Sequence, residues 1–494
     1  MRHAAPLAPG ILPALAVDRA AGRPIHRQIA DAFREAIVER RLRAGQRLPS
    51  TRTLAGALAV SRLPVLNAFE QLLAEGYLES RAGSGTFVSS TIRHGPASEE
   101  RPVARARAVG GGARPVARHV ADLLRAPEPW LQGYGAFRMS EPARDQFPFP
   151  TWTRLLARHA RGLGRGAFNY GSPMGDLRLR QALAAYLRTA RAVRCEAEQI
   201  MVVSGSQQAI AIAARVLVDP GLPVWIEEPG YGGARDALTM AGARLVPVPV
   251  DDEGLDVSAG TRACRGARAA VVTPSHQYPL GATMSAPRRL QLLDWAQAAG
   301  AWIIEDDYDS EYRYESQPIA ALQGLDRDAR VIYVGTFSKV LFPALRAGYM
   351  VIPPDLVDRF TAVREAMDIC PPGLLSGWLA ELISEGHFAR HLRRTGQIYR
   401  ERRTALVKAL AGRFGSRLRV VGAEAGIHLV ALCERPRDRA VARRAADQGL
   451  WVMPLSSCYL GPPRRNGLVL GYGGTRAADM PAAVERLRRV VNSR

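Results

Sequence analysis

The chain has 494 residues, more than one globular unit usually holds, and 47% of them are apolar, enough for sizeable buried cores. Its formal net charge of +21 favours an anionic partner such as nucleic acid. The five cysteines (Cys195, Cys264, Cys370, Cys433 and Cys458) are scattered with no Cys-X-X-Cys pair, which argues against a disulfide frame or a zinc site, and no metal site is read. No apolar run approaches membrane-spanning length and the N-terminus lacks a signal-peptide core, so a cytoplasmic protein with no membrane partner is expected.

After a lead without a clear element, a helical period starts at Pro24 and runs through Ile25, Ile29, Phe33, Ile37 and Val38. A turn at Ala44-Gly45-Gln46 follows. Ser50 is placed to cap a short second helix carrying Leu54, Ala55 and Leu58. Ser61 is placed to cap a third, with Val65, Leu66, Phe69, Leu72 and Leu73 on one face. Residues 77–81 and 86–88 flank the turn Ala82-Gly83-Ser84-Gly85 and read as a two-stranded hairpin. Together these describe a winged helix-turn-helix over residues 20–90, whose third helix would enter a DNA major groove. Arg52 and Arg62, at the starts of the second and third helices, sit with Ser61 where helix N-termini meet phosphates, and Arg81 and Gly85 fall in the wing.

Residues 91–138 are dominated by Gly, Pro, Ala and Arg without apolar period, and read as a basic, flexible linker. From 139 to 494 short apolar strands alternate with helices. Strands are predicted at 200–203, 224–226, 269–272, 302–304 and 331–334, with helices such as 207–217 and 287–298 between them. That alternation makes the fold class α/β, with a doubly wound, mainly parallel sheet, and the stretch from about residue 385 reads as a smaller α+β subdomain.

The 67 basic residues include only two lysines, Lys339 and Lys408. Arginine serves charge and phosphate binding well but stays protonated, so it cannot act as a Schiff-base amine. Lys408 lies in the amphipathic stretch RRTALVKALAGRF without polar company; Lys339 ends an apolar strand in TFSK, with Arg346 seven positions on as a bidentate phosphate candidate. Three further strand ends carry chemistry. In Val203-Ser204-Gly205-Ser206-Gln207, the glycine lets backbone N–H groups of Ser206 and Gln207 approach a phosphate. In Glu227-Glu228-Pro229-Gly230-Tyr231, the tyrosine can stack on a flat ring. In residues 302–309, an apolar strand runs directly into four carboxylates and Tyr308. A pyridine ring works as an electron sink when a carboxylate keeps its nitrogen protonated, and a tyrosine beside the ring hydroxyl tunes the imine.

The stretches RLPSTRTLA, AVSR, EQLLAEGYLESR and GSGTFV resemble the GntR family of bacterial regulators. The stretches YGSPMGDLRLRQALAAYL, SGSQQAI, EEPGY, TPSHQYPLG, EDDYDSEYRY and TFSKVLFPALRAGY resemble fold-type-I aminotransferases, and more closely the aminotransferase-like half of MocR regulators. That resemblance implies pyridoxal 5'-phosphate (PLP) held by Lys339 as an internal aldimine, Asp306 at the pyridine nitrogen, and Tyr308 on the ring oxygen. It implies Tyr231 stacked on the ring, with Ser206, Gln207, Thr336 and Arg346 on the phosphate. It also implies a homodimer in which Tyr170 reaches in from the partner; a double-stranded DNA operator is expected for the winged head, and PLP, a small amino compound or both as what the large domain senses. Three departures stand out. The third helix offers Leu63, Pro64, Val65 and Leu66, with Asn67 where arginine is frequent, and so has fewer donors for bases. Tyr278-Pro279-Leu280-Gly281 replaces the usual Asn-Pro-Thr-Gly. Val469 stands three residues before Tyr472, where many aminotransferases carry the arginine that grips a substrate carboxylate; Arg235, Arg464, Arg465 and Arg476 are the alternatives. Two functions are therefore weighed: a PLP-dependent transcription regulator, and a PLP-dependent aminotransferase with a vestigial DNA-binding head. A PLP-storing or structural dimer would give the wing no role.

Overall fold

The computed structural model describes residues 17–92, 128–164, 169–314, 319–373, 376–433 and 438–493, with residues 117, 120 and 123 singly. Most of the sequence-predicted linker lies outside these residues. The chain divides into two compact units, residues 1–114 and 115–494.

In the first unit, apolar residues at helical spacing put Ile29, Phe33, Ala36 and Ile37 of α1 (Ile25–Val38) inside, against Val65, Ala68, Phe69 and Leu72 of α3 (Arg62–Ala74). Phe33 and Phe69 meet edge to face at 5.5 Å. Between them α2 (Thr51–Ala57) is capped by Ser50, whose hydroxyl accepts from the Thr53 amide. Ser61 occupies the N-cap of α3, as expected, but makes no side-chain cap bond. Leu66, expected on the inner face, is outside: its helical position falls beyond the inward stripe, and it is exposed along with Leu63. Strands β1 (Leu78–Arg81) and β2 (Gly85–Val88) pair antiparallel as the hairpin, joined by a bridge from Arg47 to Phe87.

The second unit is built on an eight-stranded sheet of order β3-β10-β9-β8-β7-β4-β5-β6. Its strands are β3 (Ile200–Val203), β4 (Pro223–Glu228), β5 (Arg244–Asp251), β6 (Gly254–Leu255), β7 (Ala269–Val272), β8 (Trp302–Asp307), β9 (Val331–Thr336) and β10 (Gly348–Val351). Pairs β9–β8–β7–β4–β5 are parallel, and β10 runs against both neighbours. Continuous apolar runs such as Ile200-Met201-Val202-Val203 suit strands covered on both faces. One face packs on a core including Ile210, Ala213 and Phe360, the other on a core including Trp225, Leu292 and Trp295, whose two indoles stack at 3.7 Å.

A four-stranded antiparallel sheet follows, of order β11-β12-β14-β13: β11 (Arg419–Val421), β12 (His428–Leu432), β13 (Met453–Pro454) and β14 (Gly467–Gly471). Helices His387–Phe414 and Met480–Asn492 contribute to its core. Lys408 is exposed on the first of these. No helix among the described residues is long and apolar enough to cross a membrane.

Phe33→Ala should destabilise the first unit by about 3–5 kcal/mol. Native-state hydrogen exchange is expected to show lost protection in α1 and α3 and unchanged protection in β3, β8 and β9; uniform loss would contradict two independent cores.

Candidate cofactor site

The site is assembled where parallel strands end, the position at which open α/β sheets gather their ligands. At the end of β3, Gly205 takes φ +108° and starts the helix Ser206–Leu217. A Cβ there would lie 3.5 Å from a guanidinium nitrogen of Arg346, so Gly205 sets a bare backbone and free N–H groups beside that cation. Arg346 is turned to it by a left-handed backbone at φ 49°. Thr336, at the end of β9, is buried, and its hydroxyl accepts from the Ser338 amide. Gln207 donates to the Gly233 carbonyl, and the Tyr231 hydroxyl lies 3.4 Å from its Oε1.

β8 sorts the acidic run by alternation, since successive side chains of a strand point to opposite faces. Glu305 accepts from the Leu322 and Gln323 amides, and Asp307 pairs with buried Arg191 at 2.9 Å and with the Tyr333 hydroxyl at 2.6 Å. Asp306 turns the other way. It borders a small cavity with Glu227 and Tyr231, and its buried Oδ1 has no hydrogen-bond partner. Burial, reinforced by Asp307, pushes its carboxyl up to about 7, while Lys339 pulls it down. Burial likewise lowers the Lys339 amine to about 8, against the opposing pull of Asp309 and Asp306.

Tyr308 is fully enclosed, its hydroxyl 3.2 Å from His276 Nδ1, which lies 2.9 Å from Asp309 Oδ1. Asp309 also accepts from the Ile427 amide and is held below the usual carboxylate range by His276, despite burial. Burial brings His428 down to about 3, so it is neutral, and its Nε2 lies 3.1 Å from the Pro279 carbonyl. The roles of His276, Asp309 and His428 were not read from the sequence: His276 sits inside TPSHQYPLG, but His428 lies in a strand with no local signature. Their ligand atoms come within 4.8 Å of one another, yet these contacts engage them as hydrogen-bond partners. Tyr278 stands edge-on to Tyr231 and Tyr308, with its hydroxyl 3.6 Å from Met453 Sδ.

Tyr170 is 80% exposed and lines none of the cavities that contain the other site residues. In the first unit, Arg52, Ser61 and Arg62 share the exposed start of α2 and α3, where Arg62 donates to the Thr51 hydroxyl at 3.1 Å. Arg81 is bound within the wing to Glu79, lying over the Phe87 ring at 4.5 Å beside exposed Gly85.

The seat fits PLP on its own atoms. An orphaned buried carboxylate oxygen awaits a cationic N–H, an arginine and open backbone amides await a phosphate, and an amine of lowered basicity feels both Asp306 and Arg346. A fold-type-I PLP domain joined to a winged DNA-binding head defines a PLP-dependent regulator class. Residues 139–487 match the family model "Aminotransferase class I and II", and residues 25–88 match "Bacterial regulatory proteins, gntR family". The chain is 42% identical to the probable rhizopine catabolism regulatory protein MocR of Rhizobium meliloti, over 96% of this chain and 95% of that one. It is 31% identical to the pyridoxine biosynthesis transcriptional regulator PdxR of Corynebacterium glutamicum, over 90% and 91%. Among solved structures it resembles the alpha-aminoadipate aminotransferase LysN of Thermus thermophilus, complexed with a phosphopyridoxyl-leucine, with TM-score 0.67, 28% identity and coverage of 76% and 94%. The chain belongs to the MocR group of GntR-type, PLP-dependent transcription regulators.

Only a neutral amine captures a carbonyl, so the rate at which cofactor-free protein takes up PLP should rise with pH and level off above about pH 8, well below the ordinary lysine value of 10.5. Asp306 raises the amine's basicity, so Asp306→Asn should move the inflection lower. Stopped-flow uptake across pH reads both; an inflection near 10 in the parent, or one that rises in the variant, contradicts this electrostatic arrangement.

Proposed function

We propose that a small amine reaching PLP at Lys339 changes how tightly the winged head holds its operator. The carrying observation is that a nearly complete cofactor seat surrounds the half-buried Lys339 in a chain whose first unit is a DNA-binding fold. Bound PLP supplies an electrophilic carbonyl conjugated to an electron-withdrawing ring. Lys339 provides the attachment amine. Asp306 keeps the proton on the ring nitrogen, since a cation beside it restores its charge in a site where burial alone disfavours it. His276, assigned as donating Nδ1–H to Asp309, leaves the Tyr308 phenol proton free for the ring oxygen. Tyr231 covers the ring, and Ser206, Gln207, Thr336 and Arg346 take the phosphate. Exposed Tyr170 completes the site of a second copy in a homodimer.

On the DNA side, Arg52, Ser61, Arg62, Arg81 and Gly85 take backbone phosphates. The exposed face of α3 carries Leu63, Leu66 and Asn67, a set suited to thymine methyls and an adenine edge. The relatives are named for rhizopine catabolism and pyridoxine biosynthesis, which supports target genes of small-molecule metabolism. The aminotransferase reading is weaker, because Val469 is fully buried opposite Val430 and Met453 and presents no cation to a substrate.

Lys339→Ala should keep operator binding in a gel shift yet lose any change in affinity on adding PLP with an amine. A response that persists unchanged would overturn the proposal. Arg62→Ala should weaken binding to all sequences alike and reduce the salt slope by about 1.

A further inference from the structure

Val469 stands where many aminotransferases carry the arginine that grips a substrate carboxylate, and a different arginine borders the cavity that holds Lys339. A cavity of about 600 Å³ is lined by Lys339 together with Arg138, Tyr134, Glu141, Phe147 and Trp152. Arg138 Nη1 is buried in this half-buried side chain and has no hydrogen-bond partner. No ion pair engages Arg138 among the described residues; its guanidinium carbon lies 4.1 Å from the centre of the Tyr134 ring, and the adjacent Glu141 pairs with Arg144 through Oε1 at 2.8 Å, its buried Oε2 having no hydrogen-bond partner. A guanidinium with one buried, open donor calls for an acceptor, and an anion is the strongest.

The backbone delivers this arginine to the end of β14. Phe137 bridges Gly471, two residues beyond Val469, and a Cβ on Gly471 would come within 2.1 Å of the Arg138 carbonyl oxygen. Only glycine admits that approach. Two non-glycine residues flanking Arg138, Phe137 at φ 68° and Ser140 at φ 63°, adopt left-handed backbone, a strain that persists where surroundings over-determine it and that clusters at ligand sites. The other arginines are placed elsewhere. Arg476 is exposed and paired with Asp479; Arg235 is buried, donates from Nη2 to the Ser457 carbonyl and leaves Nε without a partner, and it lines a cavity with Tyr231 and Tyr278 in whose lining Lys339 has no part. Arg464 and Arg465 do not border the cavity that holds Lys339.

We propose that Arg138 is the residue that receives the acid group of an amine effector in this chain. The assignment rests on Lys339 being the cofactor-bearing residue. The amine is directed to Lys339 and the anion to Arg138, so the strained segment carrying Arg138 joins the C-terminal sheet to the cofactor through the ligand.

The test titrates PLP-loaded full-length protein with alanine, β-alanine, 4-aminobutanoate and 2-aminoethanesulfonate, each beside its uncharged amide, following the cofactor absorbance. At least one acid should bind about tenfold or more tighter than its amide. Arg138→Gln should remove that preference while retaining PLP and the affinity for amides, and Arg138→Lys should restore part of it; the carboxylate and sulfonate arms separate the two anion types. An acid and its amide binding the parent equally, or a preference surviving in Arg138→Gln, overturns the role of Arg138 alone. The parent comparison decides this even if the variant fails to fold. A parent whose cofactor absorbance responds to no amine of either kind overturns the amine-sensing reading and this inference with it.

Discussion

The amine of half-buried Lys339 and the buried carboxylate of Asp306 act on each other at the carboxyl ends of the large sheet's strands, and both are displaced from their ordinary ionisation. Lys339 is brought to about 8 and Asp306 to about 7, each mainly by burial. Neither is neutralised by a hydrogen-bonded ion pair, and Asp306 Oδ1 is left without any partner. Such an arrangement is costly for a fold, and it makes sense where a ligand brings a protonated nitrogen to one group and a carbonyl to the other. The surrounding architecture serves that requirement. Strand alternation on β8 sends Glu305 and Asp307 to structural partners and keeps Asp306 for the site. The Arg191–Asp307 pair, both almost fully buried, ties β8 to the helix Leu177–Arg191. Loss of either partner there would leave an unpaired buried charge directly behind the cofactor seat.

Much of the fold was legible because its signals are local. Gly205 opening a helix after an apolar strand, the run into Asp306 and Tyr308, and the isolation of Lys339 among arginines each reflect a short-range constraint. Strand centres at 200–203 and 269–272 were read correctly for the same reason: apolar runs bounded by turns. β10 and β5 were not read. β10 (Gly348–Val351) follows the Arg346 turn at once and pairs antiparallel with β3, a partner about 150 residues earlier in the chain.

The unread part of the site is non-local. His276 lies in the loop after β7 and His428 on β12 of the smaller sheet; their rings stand 4.9 Å apart, with His428 Nε2 3.1 Å from the Pro279 carbonyl and the His276 ring packed on Gly426. Nothing in a window around His428 distinguishes it from a core residue. Arg138 was overlooked for a related reason. It lies at the end of a Gly- and Arg-rich stretch that reads as linker, and its importance follows from Gly471 and Val469, more than 300 positions away. Leu66 shows the opposite error: an apolar residue at a near-helical spacing was assigned inward, but the stripe buried by α3 is narrower, and the residue faces outward.

The most direct measurement of the central claim uses the scarcity of lysine. PLP-loaded protein is reduced with borohydride, which fixes the cofactor where it is attached, then digested and mapped by mass spectrometry. The account predicts a phosphopyridoxyl group on the peptide containing Lys339 and none on the peptide containing the exposed Lys408. Modification at Lys408, or at both lysines equally, would contradict it.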